Sequence, residues 1–376
     1  MGIGGDREVT ILGVGMHPFA KDSGKSYQEL GGVAIANALE ESGVPFKDVE
    51  AAYVGHCYGP LGTGMRVVQE FGWTGIPIVN VEVACTSATQ AVFRAAYEIS
   101  TGLYDVVLAV GVDKLPRGLL GGMSETGSWE SVMGLVVMPA MYALGIRKHM
   151  EDYGTTFEQL CKISVKEHKY GALSQYALYQ KEMTLEEVKA GRMIAYPINL
   201  FMCSPNCDGA TAAVLCTKEK ARQYTSRPPI TIAGWSLGSP QYTQAGDEES
   251  GLKTMARKAF EMAGLGPDDV DVMQVHDAFS PAEITIPESL GFIPTGEGGR
   301  WIDEGRTEIT GELPVNTDGG LVAFGHPVGA TGIRQIAELI WQMKGQAGPR
   351  QVEGPPRVAF QQNSGIGGNA VGIYTR

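Results

Sequence analysis

The sequence predicts an α/β fold made of two related halves, and three observations predict it. Residues Ala38–Glu50 (ALEESGVPFKDVE) recur in kind as Ala259–Asp271 (AFEMAGLGPDDVD). Each reads as an amphipathic helix, a glycine stop, a short loop and an Asp-Val-acid step, followed by an apolar strand at Ala51–Val54 or Val272–Val275. A helix opens at Ala88-Thr89 just after Cys85, and another at Ala330-Thr331 just after His326. Each half then ends in a further apolar strand, Val106–Val110 and Val358–Phe360. The period far exceeds that of a solenoid repeat, so the pattern is a tandem duplication of one α/β unit.

The remaining elements follow from this frame. Asp208–Leu215 (DGATAAVL) reads as a turn into a buried strand that closes the first half. The second half opens near Pro229 with a strand at Ile230–Trp235. Between them, roughly Leu115–Asn199 resembles neither half. It is richer in Met, Tyr and charge and has a helical pattern around Phe157–Gln180. A segment this long is a functional insertion that covers something, not a connection. The expected units are residues 1–114 with 200–228, the insertion 115–199, and 229–376.

Composition narrows the function. With 376 residues and 43% hydrophobic content, the chain can bury one large core or two moderate ones. A formal net charge of -12 argues against general nucleic-acid binding, so an anionic substrate needs a local basic patch. No run approaches the roughly 18 apolar residues of a membrane span. The Met1–Asp6 start has no cationic leader, and Asp6 stands where a myristoylation signal wants Ser or Thr. A cytoplasmic protein with free thiols is the expectation. Six cysteines in so long a chain make no disulfide framework. Cys203 and Cys207 lack a matching Cys/His pair, so no metal site is expected, and Cys57, Cys161 and Cys216 read as packing residues.

Three residues carry the chemistry. Cys85 ends the apolar run Val79–Ala84 and precedes a helix, where unpaired N–H groups favour a thiolate. His276 lies in Val275-His276-Asp277-Ala278-Phe279, and His326 in Gly325-His326-Pro327 followed by Gly329-Ala330-Thr331-Gly332. A nucleophile with two imidazoles, one as base and one as oxyanion donor, suggests acyl transfer. Asp277 reads equally as a turn cap. His17, His56, His149 and His168 fit no motif, although His56 follows the strand paired by repeat with that of His276.

These segments, together with the terminal Gly365-Ile366-Gly367-Gly368, resemble the thiolase superfamily in type and order over nearly the whole chain. The resemblance implies the thiolase fold, two duplicated βαβαβ-type halves in a layered αβαβα arrangement with an inserted loop domain. His276-Asp277-Ala278-Phe279 is similar to the lipid-transfer or sterol-carrier-protein type and to archaeal acetoacetyl-CoA thiolases. Two departures stand out. Degradative thiolases carry a second cysteine where this chain has Gly365, and sterol-carrier-protein thiolases carry one at the position of Ala278. The acid/base role of that thiol must pass to histidine, water or substrate.

The resemblance further implies Cys85 as acyl-accepting nucleophile and His326 as its base. His276 would stand at the oxyanion or shuttle the α-carbon proton, and the N–H groups of Cys85 and Gly367 would form a second oxyanion hole. It implies coenzyme A as co-substrate, with Ser236, Gly238 and Ser239 along the pantetheine. Arg147, Lys148, Lys166 and Lys169 are candidate phosphate contacts. Met123, Trp129, Met133, Met138, Met141 and Tyr142 are candidates for an apolar acyl pocket suited to a bulky or aromatic 3-oxoacyl-CoA such as benzoylsuccinyl-CoA. A homodimer core with a small zinc-ribbon/OB-fold subunit is the expected assembly. Acetoacetyl-CoA thiolysis, a retro-aldolase using Tyr142 or Tyr242 as acid, and a non-catalytic lipid- or CoA-binding protein remain as alternatives.

Overall fold

In the computed structural model, residues 7–116, 118, 132–133, 137–239 and 251–376 are described. The strands are β1 (Val9–Ala20), β2 (Ala51–Gly55), β3 (Ile78–Val81), β4 (Val106–Lys114), β5 (Met193–Ala195), β6 (Ile198–Asn199), β7 (Asp208–Thr217), β8 (Ile230–Gly238), β9 (Val272–Gln274), β10 (Val358–Gly365) and β11 (Gly368–Thr375). Nine of them join in the order β3-β2-β4-β7-β1-β8-β11-β10-β9, and β5 pairs with β6.

The duplication is visible in the pairing. On one side β2 runs parallel to β4, β4 antiparallel to β7, and β7 antiparallel to β1. On the other, β9 runs parallel to β10, β10 antiparallel to β11, and β11 antiparallel to β8. The halves meet where β1 pairs with β8 through Thr10–Thr231 and Ile11–Ile230. The repeated helices, Tyr27–Ser42 and Gly251–Ala263, stop at the matching residues Gly43 and Gly264. Both glycines have positive φ, 70° and 66°, a conformation a side chain resists.

Side-chain alternation sets the layers. In β4, Val107 and Ala109 face a central core shared with the Ser87–Ser100 and Thr331–Lys344 helices. Val106, Leu108, Val110 and Val112 face an outer core under the Tyr27–Ser42 helix. The second half repeats this, with an outer core against Gly251–Ala263. The result is the expected layered αβαβα arrangement, with two buried helices between the sheet halves.

Those central helices approach closely because Gly332 faces Thr89. A Cβ on Gly332 would lie 2.0 Å from Thr89 Oγ1 and 2.7 Å from its backbone N. Gly332→Ala is therefore expected to lower stability by about 1–3 kcal/mol despite alanine's better helix propensity. A fall in the urea midpoint at unchanged m-value checks this.

The insertion differs in one respect from its pattern. The helix Phe157–Gly171 ends well before Gln180. Beyond it, tertiary backbone bonds hold the chain: Tyr176 O accepts from Phe19 N, while Leu178 N and Tyr179 N donate to Phe324 O and Ala323 O. The insertion's core takes in Ala278, Phe279 and Leu321, so it sits on the segments that carry both histidines. Among the described residues, no helix is long and apolar enough to cross a membrane.

Candidate active site

Loops from the two halves converge at Cys85. Its preceding residue, Ala84, has φ 46°, a left-handed conformation that costs a non-glycine residue about 1–2 kcal/mol. Side chains hold this bend: Ser87 Oγ accepts from Val83 N at 2.9 Å and donates to Ala84 O at 2.6 Å, and Thr86 Oγ1 donates to Val83 O at 2.8 Å. The helix Ser87–Ser100 starts immediately after. Asp113, at the end of β4, ties the halves together. Its carboxylate accepts from Cys57 N (3.1 Å), Tyr58 N (2.9 Å) and Gly329 N (2.7 Å), fixing the loop beside His326.

The three sequence-predicted residues come together. The ligating atoms of Cys85, His276 and His326 all lie within 4.8 Å of one another, and the imidazoles meet edge to face with centroids 5.2 Å apart. His276 and His326 are buried, and Cys85 is half-buried. The Gly367 turn joins β10 to β11 and faces the same segment, its hypothetical Cβ 3.5 Å from Val83 Cγ1. Gly238 packs near Gly368, and Ser236 pairs with Val371 on the same ladder. Ser239 is exposed at the end of β8.

The site's ionisation differs from the sequence expectation. Burial pushes the Cys85 thiol up to about 12, against its own backbone N–H. Burial and the nearby Arg334 push His326 down to about 3. His276 is held well below its usual range by burial, then by His326 and Arg334. Burial thus favours a thiol and two neutral imidazoles over a thiolate beside an imidazolium. Desolvation outweighs the helix start here.

Other residues set the frame. Asp277 accepts from Leu321 N at 2.8 Å, anchoring the short helix Gly320–Phe324 that leads into His326. Glu167 stands against Asp277, fully buried, with neither oxygen receiving a donor. Burial, then the Asp277 charge, pushes Glu167 well above the usual carboxylate range. Space is also tight at position 365. A Cβ on Gly365 would lie 2.9 Å from Cys85 N and 3.2 Å from Thr86 N.

Several candidates have other partners or face solvent. Lys166 is buried against Glu283 and donates to Val315 O at 3.0 Å, so it is a structural ion, not a phosphate contact. Arg147 and Lys148 pair with Glu151 and Asp152 on the surface, and Lys169 with Glu308. Met133 and Met141 are exposed, whereas Tyr142 packs on Phe279 with ring centroids 4.7 Å apart. Met123, Trp129 and Tyr242 lie outside the described residues. His149 pairs with Glu288 at 2.8 Å and His168 with Ser164 O at 2.9 Å, as structural histidines do. Sequence reasoning passed over Asp113, Thr89, Thr331 and Asn363. Only Thr331 and Asn363 carried a signal, each lying in or just before a glycine-rich motif.

The chain matches the families "Thiolase, N-terminal domain" over residues 9–185 and "Thiolase C-terminal domain-like" over residues 241–374. It is 38% identical to an acetyl-CoA acetyltransferase of Methanothermobacter thermautotrophicus, covering 98% of this chain and 100% of that protein. It is 36% identical to sterol carrier protein 2 of Oryctolagus cuniculus, covering 96% of this chain and 71% of the relative. It is 34% identical to the benzoylsuccinyl-CoA thiolase subunit BbsB of Thauera aromatica, covering 96% of each. Among solved structures, the "Ltp2-ChsH2(DUF35) aldolase" superposes with a TM-score of 0.86 at 26% identity, covering 98% of this chain and 97% of that one.

Proposed function

Since the chain belongs to the thiolase family and is a thiolase-type acyltransferase, we propose that it cleaves or forms a carbon–carbon bond in a 3-oxoacyl-CoA through an acyl-Cys85 thioester. The observation that carries this reading is the meeting of Cys85, His276 and His326 within 4.8 Å. Cys85 attacks the 3-oxo carbon while its proton passes to His326 Nε2. The C2–C3 bond then breaks, and its electron pair forms the enolate of the departing acyl-CoA. His276 and the protonated His326 face that enolate oxygen, and the N–H groups of Cys85 and Gly367 serve the oxygen of the transferred acyl group. A proton on the enolate carbon and attack of CoA on the thioester complete the cycle. With Ala278 and Gly365 in place of a second thiol, the histidines carry the proton transfers.

A bulky or aromatic acyl group, as in benzoylsuccinyl-CoA, is supported by the likeness to BbsB. Coenzyme A lies along Ser236, Gly238 and Ser239 in this reading. No metal takes part. Cys-His-His is a zinc-type donor set, but the two imidazoles are held for proton transfer. A homodimer is supported by the edge strand β3 with exposed Val79, beside exposed Leu61, Met65 and Trp73. A small zinc-ribbon/OB-fold subunit, a cytoplasmic location and the unit boundaries 1–114 with 200–228, 115–199 and 229–376 belong to the same proposal.

The test is intact mass spectrometry after mixing with a 3-oxoacyl-CoA. A single acyl adduct, mapped to Cys85 and discharged by CoA, supports the reading. Cleavage of a 3-hydroxyacyl-CoA without adduct or free CoA supports the second reading, a retro-aldolase, which the likeness to the aldolase structure favours. Co-expression with neighbouring genes is expected to yield a zinc-containing companion that raises turnover. Full activity of the lone chain with no co-eluting protein rejects the companion.

A further inference from the structure

Two buried hydrogen-bond chains, each ending on a backbone carbonyl, reach the Nδ1 atoms of the two site histidines. Thr331 Oγ1 lies 2.7 Å from His326 Nδ1 and donates its hydrogen to Pro327 O at 3.1 Å. A carbonyl only accepts, so Thr331 has just a lone pair for the ring. With Thr331 donating to Pro327 O, the His326 proton is placed on Nδ1 and Nε2 is left as an acceptor.

The other chain runs through the centre of the molecule. Gln361 Nε2 donates to Gly332 O at 2.9 Å, which fixes the amide, and its Oε1 accepts from Tyr374 at 2.8 Å. The second Nε2 hydrogen is shared between Thr89 Oγ1 and Gln335 Oε1, each at 3.2 Å. Thr89 Oγ1 in turn donates to Asn363 Oδ1 at 2.9 Å. That leaves the Asn363 amide nitrogen facing His276 Nδ1 at 3.0 Å. An amide N–H donates, so Nδ1 is the acceptor and the His276 proton sits on Nε2.

We propose that Asn363 is a positioning residue that holds His276 as the Nε2–H tautomer, making it the hydrogen-bond donor of the site while His326 supplies the acceptor. This rests on the thioester reading above and adds what separates the two imidazoles. Thr331 fixes His326 alone, so without Asn363 nothing selects which nitrogen of His276 carries the proton.

Asn363→Asp tests it. An ionised carboxylate accepts from Nδ1–H, so the proton leaves Nε2 and the donor is lost. Turnover is expected to fall ~10²-fold near pH 8, with KM changed by less than about 3-fold, the size of one missing oxyanion donor. Turnover should recover as pH falls. A proton added to either the new carboxyl or the imidazole returns a hydrogen to Nε2, whereas the wild type gains nothing over the same range. The charged or titratable groups facing His276 here are His326, Cys85 and Arg334, all retained in the variant.

Ring-nitrogen NMR of 15N-histidine-labelled protein reads the tautomer directly, with His276 assigned by a His276→Gln sample. The expected wild-type spectrum has Nε2 protonated for His276 and Nδ1 protonated for His326. A wild-type His276 protonated on Nδ1 overturns the proposal, even if no variant folds. So does a variant whose tautomer is unchanged. A tautomer that moves as expected with turnover intact upholds the positioning of the proton and rejects the donor role of His276. Acyl-Cys85 trapping is a separate readout, so its failure rejects the thioester reading and leaves the tautomer result standing.

Discussion

Cys85→Ser is expected to keep the fold and remove at least ~10³-fold of CoA-dependent carbon–carbon cleavage. The substitution changes one atom at a half-buried position, and the Ala84 bend is held by Ser87 and Thr86, which the change leaves in place. Circular dichroism and the urea midpoint should match the wild type. A hydroxyl is both a poorer nucleophile and harder to deprotonate than even a thiol raised to about 12. The acyl adduct should vanish from the mass spectrum along with turnover. The more discriminating measurement is on a 3-hydroxyacyl-CoA. If the serine variant cleaves it as fast as the wild type, the thiol is a bystander and the retro-aldol reading replaces the thioester.

How much was legible in the sequence depended on whether a residue's meaning lies in its type or in what it touches. Cys85, His276 and His326 could be found because reactive residue types at breaks in an apolar pattern are conspicuous. The duplication could be found because two glycine stops and two Asp-Val-acid steps recur at matching places. β1 was harder to see. Gly13 and Gly15 interrupt its apolar run, since the Tyr27–Ser42 helix lies so close that their Cβ atoms would fall 2.5 Å from Ser42 N and 2.4 Å from Ala34 O. Thr89 and Asp113 look like ordinary helix or strand polars until their partners are known. Lys166 and Glu167 share the amphipathic pattern of a solvated helix face, yet both are buried, because the insertion folds that face onto Asp277 and Glu283. The desolvation at Cys85 is hidden from the sequence for a related reason. A helix start is visible in sequence, whereas the desolvation that overrides it depends on the packed insertion and both halves.

His326→Gln is expected to lower kcat/KM by ~10²–10⁴-fold, the usual contribution of a positioned general base, with the thioester adduct forming correspondingly slowly. With the two chains as assigned, its Nε2 is the imidazole lone pair left to take the thiol's proton. The pH dependence follows from the direction of the shifts. A base works when deprotonated, and burial lowers His326 to about 3, so it is in the working form at every pH above that. The wild-type kcat/KM should therefore show no acid limb near the ordinary histidine value of about 6.5. Activity on that side should be lost only as the protein itself fails. Cys85, raised to about 12, has little thiolate at neutral pH, so alkylation by iodoacetamide should be slow at pH 7 and climb about tenfold per pH unit. In His326→Gln it should be slower still at pH 7, where the base assists, and converge with the wild type in alkali, where hydroxide does the work. His276→Gln should leave alkylation nearly unchanged, because its Nε2 carries a hydrogen and cannot take another proton from the thiol. An acid limb near 6.5 that disappears in His326→Gln, with alkylation already at plateau by pH 7, would mean that a thiolate–imidazolium pair is the resting state. In that case the helix start, and not desolvation, governs the nucleophile.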